Sequence, residues 1–395
     1  MIEVVLNELG VVCALGRGKA AVRSALASGA SPGMRADGSL FADGQVLQVG
    51  HVDGALPALD HAPVKHRSRN NQLLLAALDE IRGPVEAAIR AHGPQRVGVV
   101  LGTSTSGIAE AEAAYLSRGP DGALPSGFQY AQMEVGSPSA FLCDELGLCG
   151  PAFTVSTACS SSAKALASAR RLLRAGLCDA VLAGGADSIC RFTQAGFLAL
   201  GAVSRAPCAP FAVDRAGINI GEGAALFLMT RAGAGPRLAG VGESSDAHHI
   251  SAPEPSGQGA AAAMAAALKD ADVSPTAIDY LNAHGTATPQ NDAMEAHAIH
   301  QILGAGVPVS STKPLSGHAL GAAGALEAAF AWLLLTADSP CALPPQLGVA
   351  AIDPALEPIG LIASPAPARA APRAVMSNSF GFGGSNASLI LVAGA

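Results

Sequence analysis

The chain of 395 residues has few charged and few aromatic side chains, which make up 14% and 4% of it, and it has a single tryptophan. Its formal net charge of −7 argues against a general nucleic-acid binder, because such a protein needs a basic field to neutralise phosphates. The eight cysteines form no Cys-x-x-Cys pair and no metal-ligand spacing. We therefore expect reduced thiols, no bound metal and a cytoplasmic location.

Long apolar runs and a leader are also missing. The most apolar stretch, 319–337, contains Glu327 and two glycines, so we expect a core helix there and no membrane insertion. The first residues, MIEVVLNELG, carry two acids and lack both a basic and an apolar region, so we expect no signal peptide. Half of the residues are apolar, and this length favours two domains or two fused halves.

Three pairs of similar segments occur in the same order in two parts of the chain. The pairs are VGVVLGTSTSG (97–107) with IDYLNAHGTATP (278–289), VSTACSSSAKALASA (155–169) with SSTKPLSGHALGAAGALEAA (310–329), and GEGAALFLMT (221–230) with GFGGSNASLILVA (381–393). Strands alternate with helices in both parts, which favours an α/β fold with mixed or mostly parallel sheets covered by helices. We predict two duplicated halves, 1–235 and 236–395, joined near the Gly/Pro-rich stretch 230–240.

Cys159 lies between a predicted strand, 153–157, and a predicted helix, 162–173. At the N-terminus of a helix, unpaired N–H groups and the macrodipole favour negative charge, so we expect a lowered thiol pKa and a nucleophile. The alternative is a buried structural cysteine, because free cysteine behaves as a small hydrophobe.

A thiolate nucleophile needs partners that handle protons and developing oxyanions. His284 in NAHGTATP follows a strand, and His318 in STKPLSGHALGAAG precedes a helix, at positions that match the duplicated motifs. Lys313 would orient the site or bind a carboxylate, for which Glu327 is the candidate, unless it is a solvated turn lysine. Either histidine alone would more commonly be a hydrogen-bonded structural residue.

The segment SNSFGFGGSN (377–386) is a glycine-rich turn with two phenylalanines. Its glycines permit close approach of the backbone, so an N–H group of this turn would join that of Cys159 in an oxyanion hole. A phosphate loop of the Walker A type is excluded, because no Gly-Lys-Ser/Thr follows.

Together, TACSSS, NAHGTATP, STKPLSGHALGAAG and NSFGFGGSN resemble the elongating β-ketoacyl-[acyl carrier protein] synthases, the type I/II ketosynthases of the thiolase superfamily. The resemblance covers nearly the whole chain and implies a thiolase-like fold of two duplicated halves in α-β-α-β-α layers. It implies decarboxylative Claisen condensation of a malonyl group with a cysteine-bound acyl chain, in fatty acid or polyketide synthesis. It also implies no bound cofactor, since acyl carrier protein carries the substrates on phosphopantetheine.

The resemblance assigns the reacting groups. Cys159 would form the acyl thioester, and the N–H groups of Cys159 and Phe382 would form the oxyanion hole. His284 and His318 would hydrogen-bond the malonyl thioester carbonyl and stabilise the enolate left by decarboxylation.

Supporting roles follow from the same resemblance. Lys313 and Glu327 would hold the histidines in place. Thr286 and Thr288 would contact the pantetheine arm, and Phe380 would lie with Phe382 on a gating loop near the acyl pocket.

One segment, PFAVDRAGINIGEGAAL (210–226), departs from the family by having Ala212 and Ala216 where acids are common. Its GINIGEGAALFLM part is similar to ketosynthases of aryl polyene clusters, which pair with chain-length-factor-like partners, so we expect a homodimer or such a heterodimer. A non-catalytic partner subunit is the main alternative, but such subunits lack the active cysteine. A Cys–His acyl hydrolase would not need two histidines.

Carrier proteins of this type are acidic, so a net negative enzyme needs a local basic patch to bind them. The segment VKHRSRNNQ supplies Lys65, Arg67 and Arg69, and Arg205 is a neighbour by family position. The alternative is a solvated loop with incidental charge.

Overall fold

The computed structural model describes residues 2–42, 44–338, 341–362 and 370–394. Its strands are β1 (Val5–Cys13), β2 (Gly16–Arg17), β3 (Met34–Asp37), β4 (Leu47–Gly50), β5 (Val97–Gly102), β6 (Ala152–Val155), β7 (Ala180–Asp187), β8 (Gly223–Thr230), β9 (Arg237–Ser245), β10 (Tyr280–Asn282), β11 (Pro308–Ser310), β12 (Gly360–Leu361), β13 (Ala374–Gly381) and β14 (Ser385–Val392).

Its helices are α1 (Gly18–Ser28), α2 (Arg69–Asp79), α3 (Arg82–His92), α4 (Ile108–Leu116), α5 (Ser137–Leu146), α6 (Ser161–Arg174), α7 (Arg191–Ala199), α8 (Gln258–Ala271), α9 (Pro289–Leu303), α10 (Lys313–Ser316) and α11 (Ala323–Leu335). Within the described ranges, no helix combines the length and the apolar character needed to cross a bilayer.

The two halves of the chain repeat one sheet topology. The first half has the strand order β6-β5-β7-β8-β1, and the second has β11-β10-β13-β14-β9 with β12 added at its edge. In both halves the first two neighbour pairs are parallel and the next two are antiparallel. The duplication expected from the three segment pairs is therefore confirmed, with β5, β6 and β8 corresponding to β10, β11 and β14.

The two halves are joined in two ways, by pairing between edge strands of their sheets and by a helix that packs on both sheets. Strands β1 and β9 share one register pair, Val5 with Arg237, so hydrogen bonding continues from one sheet to the other. Helix α11 packs on α6, on β8 of the first sheet and on β13 of the second. Helices α2 and α5 cover the outer face of the first sheet, and α8 covers that of the second and packs on α9. The result is the expected helix-sheet-helix-sheet-helix layering.

Helix α11 is the centre of this arrangement, and all 13 of its residues are buried. A Cβ on Gly324 would lie 2.9 Å from the Cβ of Ala163, so glycine lets α11 and α6 approach closely. The Trp332 indole donates a hydrogen bond of 2.8 Å to the carbonyl of Leu6. The apolar stretch noted in the sequence is thus a core helix, as predicted.

Candidate active site

Cys159 lies in the turn between β6 and α6, as the sequence predicts. The turn contains Ala158 at φ 52°, a backbone conformation that non-glycine residues rarely adopt. Side-chain hydrogen bonds hold it: the Thr157 N–H donates to the Ser161 hydroxyl at 2.9 Å, and the Ser160 hydroxyl donates to the Thr157 carbonyl at 2.8 Å. Cys159 is 5% exposed, so this strained turn holds a buried sulfur two residues before α6 begins.

The glycine-rich turn between β13 and β14 lies directly against Cys159. Burial raises the pKa of Cys159, and the backbone N–H groups of Phe382 and of Cys159 itself oppose this rise because they favour the thiolate. A Cβ on Gly381 would come within 2.9 Å of the Thr157 carbonyl and 3.3 Å of the Cys159 nitrogen, so only glycine fits this approach. Two backbone donors therefore converge where an oxyanion on a Cys159 thioester would form.

The two histidines come from the second half of the chain, and both rings lie close to the Cys159 sulfur. His284 follows β10, and His318 lies between α10 and α11. His318 Nε2 is 3.2 Å from the Cys159 sulfur, and the two imidazole rings lie edge to face with centroids 5.4 Å apart. Phe380 packs against the His284 ring at a centroid distance of 6.0 Å. The predicted pairing of both histidines with the cysteine is therefore present in the geometry.

The GINIGEG stretch holds His318 through its backbone. The His318 N–H donates to the Asn219 carbonyl at 2.7 Å, and the Gly221 N–H donates to the His318 carbonyl at 3.0 Å. The Asn219 amide donates in turn to the carbonyls of Ser204 and Ala206 at 2.9 and 3.0 Å. This segment therefore fixes the position of one catalytic candidate from the other half of the chain.

Lys313 and Glu327 form a buried ion pair beside His284. The Lys313 ammonium donates to the Glu327 carboxylate at 2.6 Å and to the His284 carbonyl. It also lies 3.4 Å from His284 Nδ1. An ammonium can only donate, so Nδ1 must accept and the ring hydrogen lies on Nε2. The lysine is not a solvated turn residue, since it is 2% exposed.

The pKa values describe a neutral resting site. Burial, Lys313 and His318 hold the pKa of His284 well below its usual value, and burial and Lys313 do the same for His318. Burial raises the pKa of Cys159 to about 11, although Lys313 and the two N–H groups oppose this. The predicted net lowering of the thiol pKa is therefore wrong, because desolvation outweighs the favourable groups around the sulfur.

Two buried carboxylates that the sequence analysis missed support the His284 loop. Glu295 on α9 accepts the N–H groups of His284 and Gly285 at 2.7 and 2.6 Å, and Asp292 accepts that of Ala287 at 3.1 Å. Burial raises the pKa of Glu295 to about 7 and that of Asp292 to about 6. The available signal was a pair of acids three residues apart, Asp292 and Glu295, in the segment directly after NAHGTATP.

A cavity of about 310 Å³ opens onto these groups. Cys159, His284 and His318 line it together with Thr286 and Thr288, whose hydroxyls lie 3.0 Å apart. Further lining residues that the sequence analysis did not single out are Phe197, Leu200, Ile218, Asp246, Pro289 and Asn386. Phe380 and Phe382 also line the cavity, so the predicted gating turn borders the space above the sulfur.

The predicted basic patch is largely used within the chain. Lys65 pairs with Asp144 at 2.8 Å, and Arg67 donates to two backbone carbonyls. The Arg69 guanidinium contacts the buried Glu222 carboxylate through two hydrogen bonds of 2.7 and 2.5 Å. Arg205 is exposed and has no hydrogen bond or ion pair within the described ranges. Within the described ranges, Arg67 and Arg205 are therefore the two of these cations that no carboxylate pairs, and Arg205 also has no hydrogen bond.

Two family models match the chain, "Beta-ketoacyl synthase, N-terminal domain" over residues 42–234 and "Beta-ketoacyl synthase, C-terminal domain" over residues 237–349. Among curated relatives, the 3-oxoacyl-[acyl-carrier-protein] synthase 2 of Synechocystis sp. is 32% identical over 353 residues, 84% of this chain and 83% of the relative. The enzyme of the same name from Staphylococcus aureus is 32% identical over 352 residues, 84% of this chain and 86% of the relative.

Solved structures agree with these matches. The ketosynthase ApeO of Xenorhabdus doucetiae, solved in complex with its chain length factor ApeC, is 45% identical with a TM-score of 0.93, covering 99% of this chain and 98% of that one. A type II polyketide ketosynthase, AntDE, bound to the hexaketide and to its acyl carrier protein, is 25% identical with a TM-score of 0.84, covering 100% and 99%. The sequence motifs, the duplicated thiolase-like fold and these matches lead to one conclusion: the chain belongs to the β-ketoacyl synthase family.

Proposed function

We propose that this chain is an acyltransferase that condenses a malonyl group on acyl carrier protein with an acyl group on Cys159, releasing carbon dioxide. The single observation that carries the proposal is the meeting of one sulfur, two neutral imidazoles and two backbone donors at one cavity. A non-catalytic partner subunit would have no use for the sulfur, and a Cys–His hydrolase would have no use for the second imidazole.

In the first step, the Cys159 sulfur attacks the acyl thioester of the carrier-bound substrate, and pantetheine leaves as a thiol. The thiol proton passes from Cys159 to the leaving sulfur, and His318 Nε2, at 3.2 Å, is placed to relay it. The N–H groups of Cys159 and Phe382 stabilise the negative oxygen of the tetrahedral intermediate.

In the second step, the malonyl thioester carbonyl binds between the two imidazoles. His284 donates from Nε2, because Lys313 occupies its other nitrogen. His318 donates from Nε2 once the sulfur is acylated and its single ring hydrogen has exchanged from Nδ1 to Nε2. The bond to the carboxylate breaks, carbon dioxide leaves, and its electron pair forms the enolate that these donors stabilise. The enolate carbon attacks the acyl carbonyl, the bond between that carbonyl carbon and the Cys159 sulfur breaks, and the departing thiolate takes up a proton from solvent to restore the thiol.

The remaining roles extend this proposal. Thr286 and Thr288, which line the cavity beside His284, would contact the pantetheine arm. Phe380 and Phe382 would gate the acyl pocket. The substrates bring their own phosphopantetheine, and we propose no resident cofactor for the reaction.

We further propose the aryl polyene type of ketosynthase, working with a chain-length-factor partner. Its support is the 45% identity to ApeO, which was solved with such a partner. Strand β6 supplies a second argument, because it ends the first sheet and all four of its residues are exposed or half-buried. An open strand edge of this kind is a template for pairing with another subunit.

Two further features stay proposals. The division of the chain at 235/236 is supported by the loop between β8, which ends at Thr230, and β9, which begins at Arg237. A cytoplasmic location is supported by the eight cysteines, all described and all unpaired, since oxidising compartments favour disulfides.

The condensation is tested by incubating purified protein with malonyl and acyl carrier proteins and analysing protein and products by mass spectrometry. We expect wild-type protein to gain the acyl mass and release a β-ketoacyl product, and Cys159→Ala to do neither. Cys149→Ser, which removes an exposed thiol, is the matched control and should retain both signals. Native rates of acyl-enzyme formation in Cys159→Ala would overturn the assignment.

A further inference from the structure

Helix α11, which lies at the centre of the molecule, begins without a capping side chain of its own. Its N-cap residue, Ala322, makes no side-chain hydrogen bond, and the residues just before it are alanine, leucine and glycine. The first N–H groups of a helix have no partner within the helix, and leaving them unpaired in a buried position is costly. The first half supplies the acceptors, since the Asp187 carboxylate accepts the Ala322 N–H at 3.0 Å. The Ser162 hydroxyl likewise accepts the Ala325 N–H at 2.8 Å.

Asp187 ends β7, and its buried carboxylate joins two parts of the chain. Oδ1 accepts two hydroxyls and two backbone N–H groups of the loop between β5 and α4. These donors are the Thr103 and Thr105 hydroxyls, each at 2.7 Å, and the Ser104 and Thr105 N–H groups, each at 2.8 Å. Oδ2 accepts the Ala322 N–H and, at 3.1 Å, that of Ser104. One oxygen therefore binds the first half, whereas the other also reaches the start of α11.

The Ala322 N–H belongs to the turn that follows His318. It also donates at 2.9 Å to the carbonyl three residues earlier, which closes this turn. Leu320 in the turn has φ 45°, a conformation that non-glycine residues adopt only where the surrounding structure imposes it. A Cβ on Gly321 would lie 2.7 Å from the carbonyl carbon of Thr103, so the turn packs tightly on the loop that binds the same carboxylate. The turn therefore depends on contacts from the first half.

The duplication of the fold gives Asp187 a counterpart. Strands β7 and β13 hold the same place in the two strand orders. Strand β13 leads into the glycine-rich turn that lies against Cys159, and β7 ends in the carboxylate that holds the turn after His318. In each half, the end of this strand supports the reacting side chain of the other half.

We infer that Asp187 is a positioning residue for His318. Its bond to Ala322 fixes the turn after the imidazole and so keeps Nε2 at 3.2 Å from the Cys159 sulfur. The inference rests on the proposed function, in which His318 relays the thiol proton and donates to the enolate. Asp187 acts through the turn and not on the substrate, because the described residues that line the cavity do not include it.

Asp187→Asn tests the inference with a side chain of almost the same size. The amide oxygen can take the place of Oδ1, but the amide nitrogen then faces the Ala322 N–H, and two donors cannot bond to each other. We expect kcat for condensation, followed as carbon dioxide release from carrier-bound substrates, to fall about 10²-fold, the usual cost of a misplacement of about 1 Å. KM for malonyl carrier protein should change by less than about twofold, because Glu295 holds the His284 loop independently. A wild-type kcat, or a loss that lies wholly in KM, would overturn the inference.

Action through His318 is tested in the His318→Ala background. Adding Asp187→Asn there should lower the residual rate by less than about twofold, since no imidazole is left to position. A further loss of about 10²-fold would show a general loosening of the fold and would contradict the inference.

Asp279→Asn is the matched control, since it removes the same charge from a carboxylate that also accepts backbone N–H groups. Asp279 Oδ2 accepts those of Arg373 and Ala374 at 2.7 and 3.0 Å, at the start of β13 and away from the glycine-rich turn at its end. Both kcat and KM should stay at their wild-type values. A kcat loss equal to that of Asp187→Asn would count against a role specific to His318.

Ala322→Pro provides a second route if Asp187→Asn does not fold. It removes the donor and leaves the other bonds of the Asp187 carboxylate in place, and proline suits the φ of −80° at this helix start. Here kcat should fall as expected for Asp187→Asn, whereas a wild-type kcat contradicts the inference. Wild-type protein that releases no β-ketoacyl product refutes the proposed function itself. An active wild-type protein with an unchanged kcat in the folded variants refutes only this inference.

Discussion

At the scale of single residues, Cys159 is placed to act as a nucleophile although its thiol is a weak acid. Burial raises the Cys159 pKa to about 11, so the largely buried sulfur rests as a neutral thiol. Its activation depends on His318 at 3.2 Å and on the two N–H donors that act when an oxyanion develops. Such donors cost no reorganisation at the moment of reaction, because the fold has already placed them.

The two histidines give a direct prediction. His284→Ala and His318→Ala each remove one donor to the enolate, and losing one preorganised donor costs about 10²–10³ in rate. We expect malonyl decarboxylation, followed as carbon dioxide release, to fall by this amount in both variants. Acyl transfer to Cys159, followed by mass spectrometry, should be partly retained. Wild-type decarboxylation in both variants would exclude the two-histidine arrangement.

The sequence predicted these reacting groups because each lies in a motif where a strand ends and a helix begins. It could not predict the sign of the Cys159 pKa shift, since burial depends on α11 and the gating turn, which are distant in sequence. Glu295 was missed for a related reason: its role appears only when α9 brings it under the His284 loop. The sequence also could not show that Lys65 and Arg69 are paired, because their counterions, Asp144 and Glu222, come from remote parts of the chain. Carrier docking at this basic segment stays a prediction.

At the scale of elements, the β13–β14 turn and the β6–α6 turn act as one unit. The strands and helices themselves were predictable from apolar patterning, and α6 and α11 lie where the sequence indicated them. The contact between the two turns was not predictable, because it depends on how the halves pack together.

This contact predicts the effect of a small change. In Gly381→Ala the new Cβ would press on the Thr157 carbonyl and the Cys159 nitrogen, at 2.9 and 3.3 Å. We expect the acylation rate of Cys159 to fall by about 10²-fold, the usual effect of a misplacement of about 1 Å.

The matched control for Gly381→Ala is Gly383→Ala. A Cβ there meets no described atom within 4 Å, although φ is 81°. This control should lose about 1–2 kcal/mol of stability to backbone strain and keep most of its acylation rate. Equal acylation rates in the two variants would show that the two turns do not act together.

At the scale of the whole molecule, two surfaces concern binding partners, the β6 edge and the cavity mouth. Phe153 on β6 is 40% exposed and lies at the edge of the sheet. A second subunit that covers β6 would bury this side chain.

The β6 edge leads to a prediction about dimer formation. Phe153→Glu places a charge on β6 and should shift the protein from dimer to monomer in analytical ultracentrifugation, with or without a chain-length-factor partner present. Leu177→Glu changes a residue of similar exposure, 55%, in the loop after α6 and should leave the dimer intact. A Phe153→Glu protein that stays dimeric would exclude this edge as the interface.

Carrier recognition gives the second prediction at this scale. The chain is net negative, so an acidic carrier must be attracted locally, and Arg205 has an exposed cation close in sequence to the cavity-lining Leu200. Arg205→Glu should raise KM for carrier-bound substrates and flatten its salt dependence, while activity on a small pantetheine thioester stays near normal. An unchanged KM would eliminate Arg205. Arg69→Glu is unsuitable, because it would leave the buried Glu222 facing a like charge.

The division of the site between the halves has a consequence for the chain during its synthesis. Cys159 is synthesised first, in the N-terminal half. His284, His318 and Lys313 leave the ribosome only with the second half. N-terminal segments fold first on the ribosome, so a half-made chain carries a thiol with no catalytic partners. The reacting groups therefore come together only after the second half has been synthesised and folded. An acylated Cys159 is then a sign that the whole duplicated fold has been completed.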